Sequence, residues 1–201
     1  MSTQLKEKEA PLSLRARAIS DGIIDESAHE QLLADLAGYT RTAGIPEHFV
    51  WTSITKYCDK DEIDYVMDLK KSLAECTGET NGMVYLGAIA KAPVNERMMS
   101  IAGVCLRNYI NAKVMTVQAV LDAMKTGDLP NNVSVLLIPN FFDVECHIAK
   151  WQISDLLGML YQRQQEGKHT VVHVTSKEDL EKGYGNSFNK HLFGGKFVVI
   201  Q

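Results

Sequence analysis

The chain lacks three features that would each narrow its class at once. Its four cysteines, Cys58, Cys76, Cys105 and Cys146, include no CxxC pair, which excludes a zinc ribbon or a dithiol redox site. No apolar run is long enough to span a bilayer, and the polar stretch Met1 to Ala10 has no apolar signal core, so a cytoplasmic protein with reduced thiols is expected. Basic residues are not in excess either. With 21 Lys and Arg against 25 Asp and Glu, the net charge of −4 speaks against a generally basic nucleic-acid binder.

What is present suits one domain with a small appendage. The 201 residues are 45% hydrophobic and 23% charged, enough to bury a core without disulfides or a structural metal. A polar tail ends at Pro11, and Leu12 to Tyr39 reads as one or two short helices. Ser27 with Glu30 forms a capping-box pattern ahead of an apolar stripe, Leu32, Leu33 and Leu36. Gly44-Ile45-Pro46 breaks this segment, and Asp61 to Cys76 is helical by period. From there short apolar runs alternate with amphipathic helices. The runs are Met83–Ala90, Lys113–Val117, Ser134–Pro139, Thr170–Thr175 and Lys196–Ile200. The helices fall at about Asn95–Tyr109, Gln118–Lys125, Trp151–Glu166 and Lys177–Leu192, the last in one piece or two. Nearly continuous apolar runs separated by helices predict an α/β, doubly wound, mainly parallel five-stranded sheet with a short N-terminal helical segment. The chain divides at about residue 42, with residues 1–42 as tail and helices and 43–201 as the α/β domain.

The order of local features resembles the AAA+ helicase-loader family of the DnaC, DnaI and IstB type. Ala43-Gly44-Ile45-Pro46-Glu47-His48-Phe49 is similar to that family's GIP-x-x-F entry into the ATPase domain. Gly82 to Gly87 falls where the family has its first strand and the opening glycine of the phosphate loop. Lys113 to Lys125 resembles its second strand and following helix, Val135–Ile138 its Walker B strand, and Gly167 to Ser176 its sensor strand. The resemblance covers roughly residues 43 to 201 and implies the P-loop AAA+ fold.

The departures bear on function. Phosphate binding in this fold needs GxxxxGK[ST], whose backbone N–H groups, lysine and hydroxyl hold phosphate and Mg²⁺. Here Gly87 remains, Lys91 is a displaced cation at best, Pro93 removes a donor, and Glu96 adds negative charge at the helix start. The Walker B strand should lead into acidic residues but leads into Pro139, Asn140, Phe141 and Phe142, with Asp143 and Glu145 only beyond them. The sensor asparagine is replaced by Lys177, and Lys190 is the one cation near the family's arginine-finger position. The resemblance together with these losses implies a pseudo-ATPase, with no cofactor and no metal expected.

Other residues leave alternatives open. Cys146-His147 beside Glu145 reads as structural, since adjacent side chains diverge and no second cluster completes a ligand set. His169 and His173 face one side of their strand. Phe141 and Phe142 either pack in the core, plug an empty nucleotide site, or form an exposed partner patch. Lys91, Arg97, Arg107 and Lys113 gather near the first helix of the domain as candidate contacts to single-stranded DNA. In the resembled family a region ahead of the ATPase domain grips the helicase, and Leu32, Leu33, Leu36 and Tyr39 are the matching apolar contacts, unless the stripe packs on the chain's own sheet. The leading expectation is a non-catalytic, loader-like protein of DNA replication that binds the replicative helicase or its loader, as adaptor or inhibitor, with self-assembly left open. The alternatives are an accessory protein of a phage or transposable element that copies an AAA+ subunit, and a weak or altered nucleotide hydrolase.

Overall fold

Parallel strands need long crossovers, and the chain supplies a helix at every one. The computed structural model describes residues 12–75, 80–127, 132–143 and 148–201. Five strands, β1 (Gly82–Leu86), β2 (Ala112–Val114), β3 (Val135–Phe142), β4 (His169–Val174) and β5 (Phe197–Ile200), form one sheet in the order β2-β3-β4-β1-β5, and every pairing is parallel. The first strand therefore lies between the last two. Helices α1 (Leu14–Ser20), α2 (Glu30–Ala34), α3 (Leu36–Ala43), α4 (His48–Trp51) and α5 (Lys60–Glu75) precede β1. Next come α6 (Val94–Arg107), α7 (Val117–Thr126), α8 (Lys150–Gln165), α9 (Lys177–Tyr184) and α10 (Asn186–Phe193). The expected helix over Lys177–Leu192 is thus two, broken at Gly185, whose φ of 95° a helix cannot use. No helix among the described residues is long and apolar enough to cross a membrane.

Alternation along the strands splits the core into two layers. Met83, Tyr85, Leu137 and Val171 face the helices that precede β2, and join a core with Leu69, Met98 and Ile101. Val84, Leu136, Ile138 and Val172 face α7 to α10, and meet Leu121, Leu156, Leu160, Leu180 and Phe188. The described part of the N-terminal segment adds Ala18, Ile24, Leu32 and Leu36 to the first layer.

Three local differences from expectation have physical causes. Ser27 does not cap a helix: its hydroxyl and N–H both donate to Asp25, at 2.7 and 3.0 Å, an Asx turn that competes with capping. The helix starts at Glu30 instead. The second strand ends at Val114 because Thr116 accepts from the Ala119 N–H and caps α7. The third strand runs past Pro139 to Phe142, because its register against β4 shifts between Ile138 and Phe142 and that irregularity accommodates the missing N–H.

Candidate functional site

In an open α/β sheet, ligands bind beyond the carboxyl ends of the strands, where the strand order reverses. Here that place is the loop between β1 and α6, residues 87–93. Counting from Gly87, the second glycine, lysine and hydroxyl of a phosphate loop fall on Ala92, Pro93 and Val94. Gly87 has φ 76°, and its N–H donates to Val174 O at 2.9 Å, continuing the ladder. The Ala92 N–H turns back onto Ala90 O at 2.7 Å. Neither amide is left pointing into a phosphate cradle.

A guanidinium occupies the loop instead. Arg97, on the first turns of α6, is fully buried. Its Nε donates to Ala92 O at 3.1 Å, and one terminal nitrogen to Ala90 O at 2.7 Å and to Asp59 at 3.0 Å. The other terminal nitrogen pairs with Glu62, which is fully buried on α5. Tyr85 from β1 donates its hydroxyl to the same carboxylate at 2.5 Å. Burial and the neighbouring carboxylate raise that phenol well above its ordinary range. Lys91, at φ 63°, folds back to donate to Cys58 O at 2.7 Å and Asp59 at 3.0 Å. Hydrogen bonds from Lys91 and then Arg97 hold the Asp59 carboxyl below its usual value. Both cations of the loop, Arg97 and Lys91, are thus engaged by carbonyls and carboxylates of the chain itself.

The end of β3, compared above with a Walker B strand, carries no acidic residue before Asp143. Asn140 accepts from the Val117 N–H at 3.1 Å and serves the start of α7. Phe141 and Phe142 neither plug the crevice nor reach the surface; both are buried in the second core layer. The Phe142 ring meets Tyr184 edge-on at 4.9 Å, Phe141 lies 5.9 Å from Phe188, and the Tyr184 hydroxyl donates to Phe141 O at 3.2 Å. Asp143 follows the strand, exposed, while Glu145, Cys146 and His147 lie outside the described residues. No cluster of three metal-ligating side chains occurs among the described residues.

The candidate DNA contacts are mostly committed elsewhere. Arg97 and Arg107 are corrected: both are buried and cannot reach a nucleic-acid backbone. Arg107 donates to Val50 O at 2.5 Å and to Phe49 and Thr52 oxygens, satisfying the carbonyls that end α4. Lys91 is paired as described, and Lys113 is half-buried on the sheet-edge strand β2. The candidate helicase contacts are corrected too. Leu32 and Leu36 are buried and Leu33 packs against the same core; only Tyr39 remains exposed, at 44%.

The two histidines of β4 are separate structural groups. His173 bridges Pro139 O and Gly87 O, each at 3.0 Å, and ties the end of β3 to the β1 loop. His169 sits buried between the Tyr65 hydroxyl at 3.0 Å and the Ser72 hydroxyl at 3.2 Å. Burial, then the charge of Arg163, lowers its pKa from 6.5 to about 4. A folded value below the unfolded one favours the neutral ring, so its stability contribution is whole above pH 6.5 and lost as pH falls toward about 4. The expected loss is about 3 kcal/mol at the acid end of that window. Thermal midpoints of the wild type should fall across it, and those of His169→Gln should fall less; equal slopes would refute the assignment.

No protein-family model matches the chain, and neither does any curated protein. Solved structures do match. A replication initiator DnaA bound to AMPPCP and single-stranded DNA superimposes with a TM-score of 0.54 at 10% identity, over 74% of this chain and 49% of that one. DnaI gives 0.52 at 14% identity, over 78% of this chain and 92% of that one. The DnaC helicase loader gives 0.52 at 12% identity, over 78% and 100%. The chain spans about half of the DnaA chain and nearly all of the two others. The all-parallel sheet and these likenesses give the chain the α/β fold of these DnaA, DnaI and DnaC structures, as its motif series implied.

Proposed function

We infer that this chain is a non-catalytic interaction protein of DNA replication, built on the helicase-loader fold. It binds the replicative helicase or its loader, as adaptor or inhibitor, without cycling ATP. The observation that carries this reading is Arg97, which fills the β1–α6 loop with carbonyl and carboxylate partners of the chain's own. A DnaA of the same fold is bound to AMPPCP, whereas here the β1–α6 loop already holds an internal charge network. The likeness to DnaI and to a helicase loader supports the replication setting and the choice of partner. Commitment of Lys91 to Asp59 weighs against the weak-hydrolase reading. With three of its four candidate cations engaged, a direct role on single-stranded DNA is not favoured.

Two measurements test the reading. A bound ligand at a hundred times its dissociation constant adds about 2.7 kcal/mol of stability; with the loop already filled, ATP with Mg²⁺ should not bind and should leave the melting temperature unchanged. A clear upward shift overturns the non-catalytic claim. Co-elution with the replicative helicase or loader of the same source is expected, and the absence of a complex with either overturns the replication partner.

A further inference from the structure

The outer face of α8 carries an exposed tryptophan and, two turns on, a glycine with open space above it. Trp151 is 60% exposed, although it is among the largest apolar side chains in the protein. Gly158 lies inside the helix, where glycine is less favourable than alanine. A Cβ built there meets no atom within 4 Å, so nothing inside the chain requires a glycine. Seven residues are close to two helical turns, which places Trp151 and Gly158 on one face. Gly158 lines a groove of about 390 Å³ along α7 and α8, together with Leu121, Met124 and Met159 and with Trp151 itself. The rim carries both signs of charge. Lys125 holds its Nζ 6.0 Å from the Trp151 ring centroid, and Asp155 lines the same groove one turn along.

A surface bearing both a knob and its hole is self-complementary, which is what a two-fold contact demands. We propose that this face joins two copies of the chain through antiparallel α8 helices, each Trp151 entering the groove over Gly158 of the other. Lys125 travels with the Trp151 ring and arrives beside Asp155 of the second copy, so the charges match twice by symmetry. The present partner of Lys125, Asp122, is exposed and exchanged at little cost. The α7–α8 face, about 24 Å long and two helices wide at about 10 Å spacing, covers roughly 500 Å² per copy. That is below the about 800 Å² per partner of a standard interface, so the dimer is weak and forms at high concentration. This inference is independent of the replication reading.

Sedimentation velocity of the full chain, from low micromolar to millimolar, reads the equilibrium directly. The wild type should shift toward dimer, and Gly158→Leu and Trp151→Ser should each raise the dissociation constant at least about tenfold. Gly158→Leu fills empty space and keeps the fold. An equimolar mixture of the two variants is the decisive arm, because the tryptophan of one finds the hole of the other and recovers part of the lost association. A wild type that stays monomeric throughout overturns the proposal and leaves the groove to a different partner. Dimers that survive both substitutions, or a mixture no better than its components, overturn it equally.

Discussion

Arg97→Met is expected to destabilise the fold by about 3–5 kcal/mol, the range for removing one member of a buried ion pair. The substitution leaves Glu62 charged and fully buried with no countercharge, removes the Arg97 donor from Ala92 O, and leaves Ala90 O with the Ala92 N–H alone. Methionine keeps much of the volume, so the loss is electrostatic rather than a cavity effect. Two comparisons isolate the cause. Adding Glu62→Leu to Arg97→Met should recover much of the loss, because apolar replacement of a whole buried pair is often close to neutral. Asp59→Asn should barely move the midpoint, since the Asp59 side chain is 58% exposed and its pairing is screened by water. Urea unfolding midpoints of the four chains decide it. An Arg97→Met chain within 1 kcal/mol of wild type would mean the network does not hold the loop.

The second large effect concerns the N-terminal stripe. Leu32→Asp with Leu36→Asp should unfold the chain or leave it aggregated, because both leucines are buried in the first core layer. Truncating a buried leucine alone costs about 2–5 kcal/mol, and a carboxylate at the site adds its desolvation penalty. Two such sites exceed the stability reserve of an ordinary domain. Tyr39→Ala, at an exposed site, should stay within about 0.5 kcal/mol. Circular dichroism of the purified double variant is the check: a folded, soluble chain would return the stripe to the list of partner contacts.

The fold was largely legible because strand–helix alternation is a local pattern repeated five times. Strand ends were less so. Gly87 stops β1 by its positive φ before the apolar run ends, and Pro139 reads as a strand terminator although a register shift carries β3 beyond it. The absence of a GxxxxGK[ST] pattern after β1 was visible residue by residue. What stands there instead was not. Arg97 and Glu62 stand 35 positions apart on α6 and α5, and only tertiary packing brings them together. In sequence Arg97 is one arginine on an amphipathic helix, indistinguishable from a solvated one. Leu32 and Leu36 showed the same ambiguity, since an amphipathic stripe reads alike whether its cover is the chain's own core or a partner.

The position of β1 has a consequence for how the molecule is made. Its neighbours are β4 and β5, so Gly82 finds its partners only at Thr170 and Phe197. A nascent chain that has emerged through α6 holds a strand with both hydrogen-bonding edges open. It must keep that strand from foreign edges until the final helices and β5 have been synthesised. Non-local closure of this kind slows folding relative to helical proteins of similar size. The first strand to be synthesised is thus the last interior strand of the sheet to be enclosed.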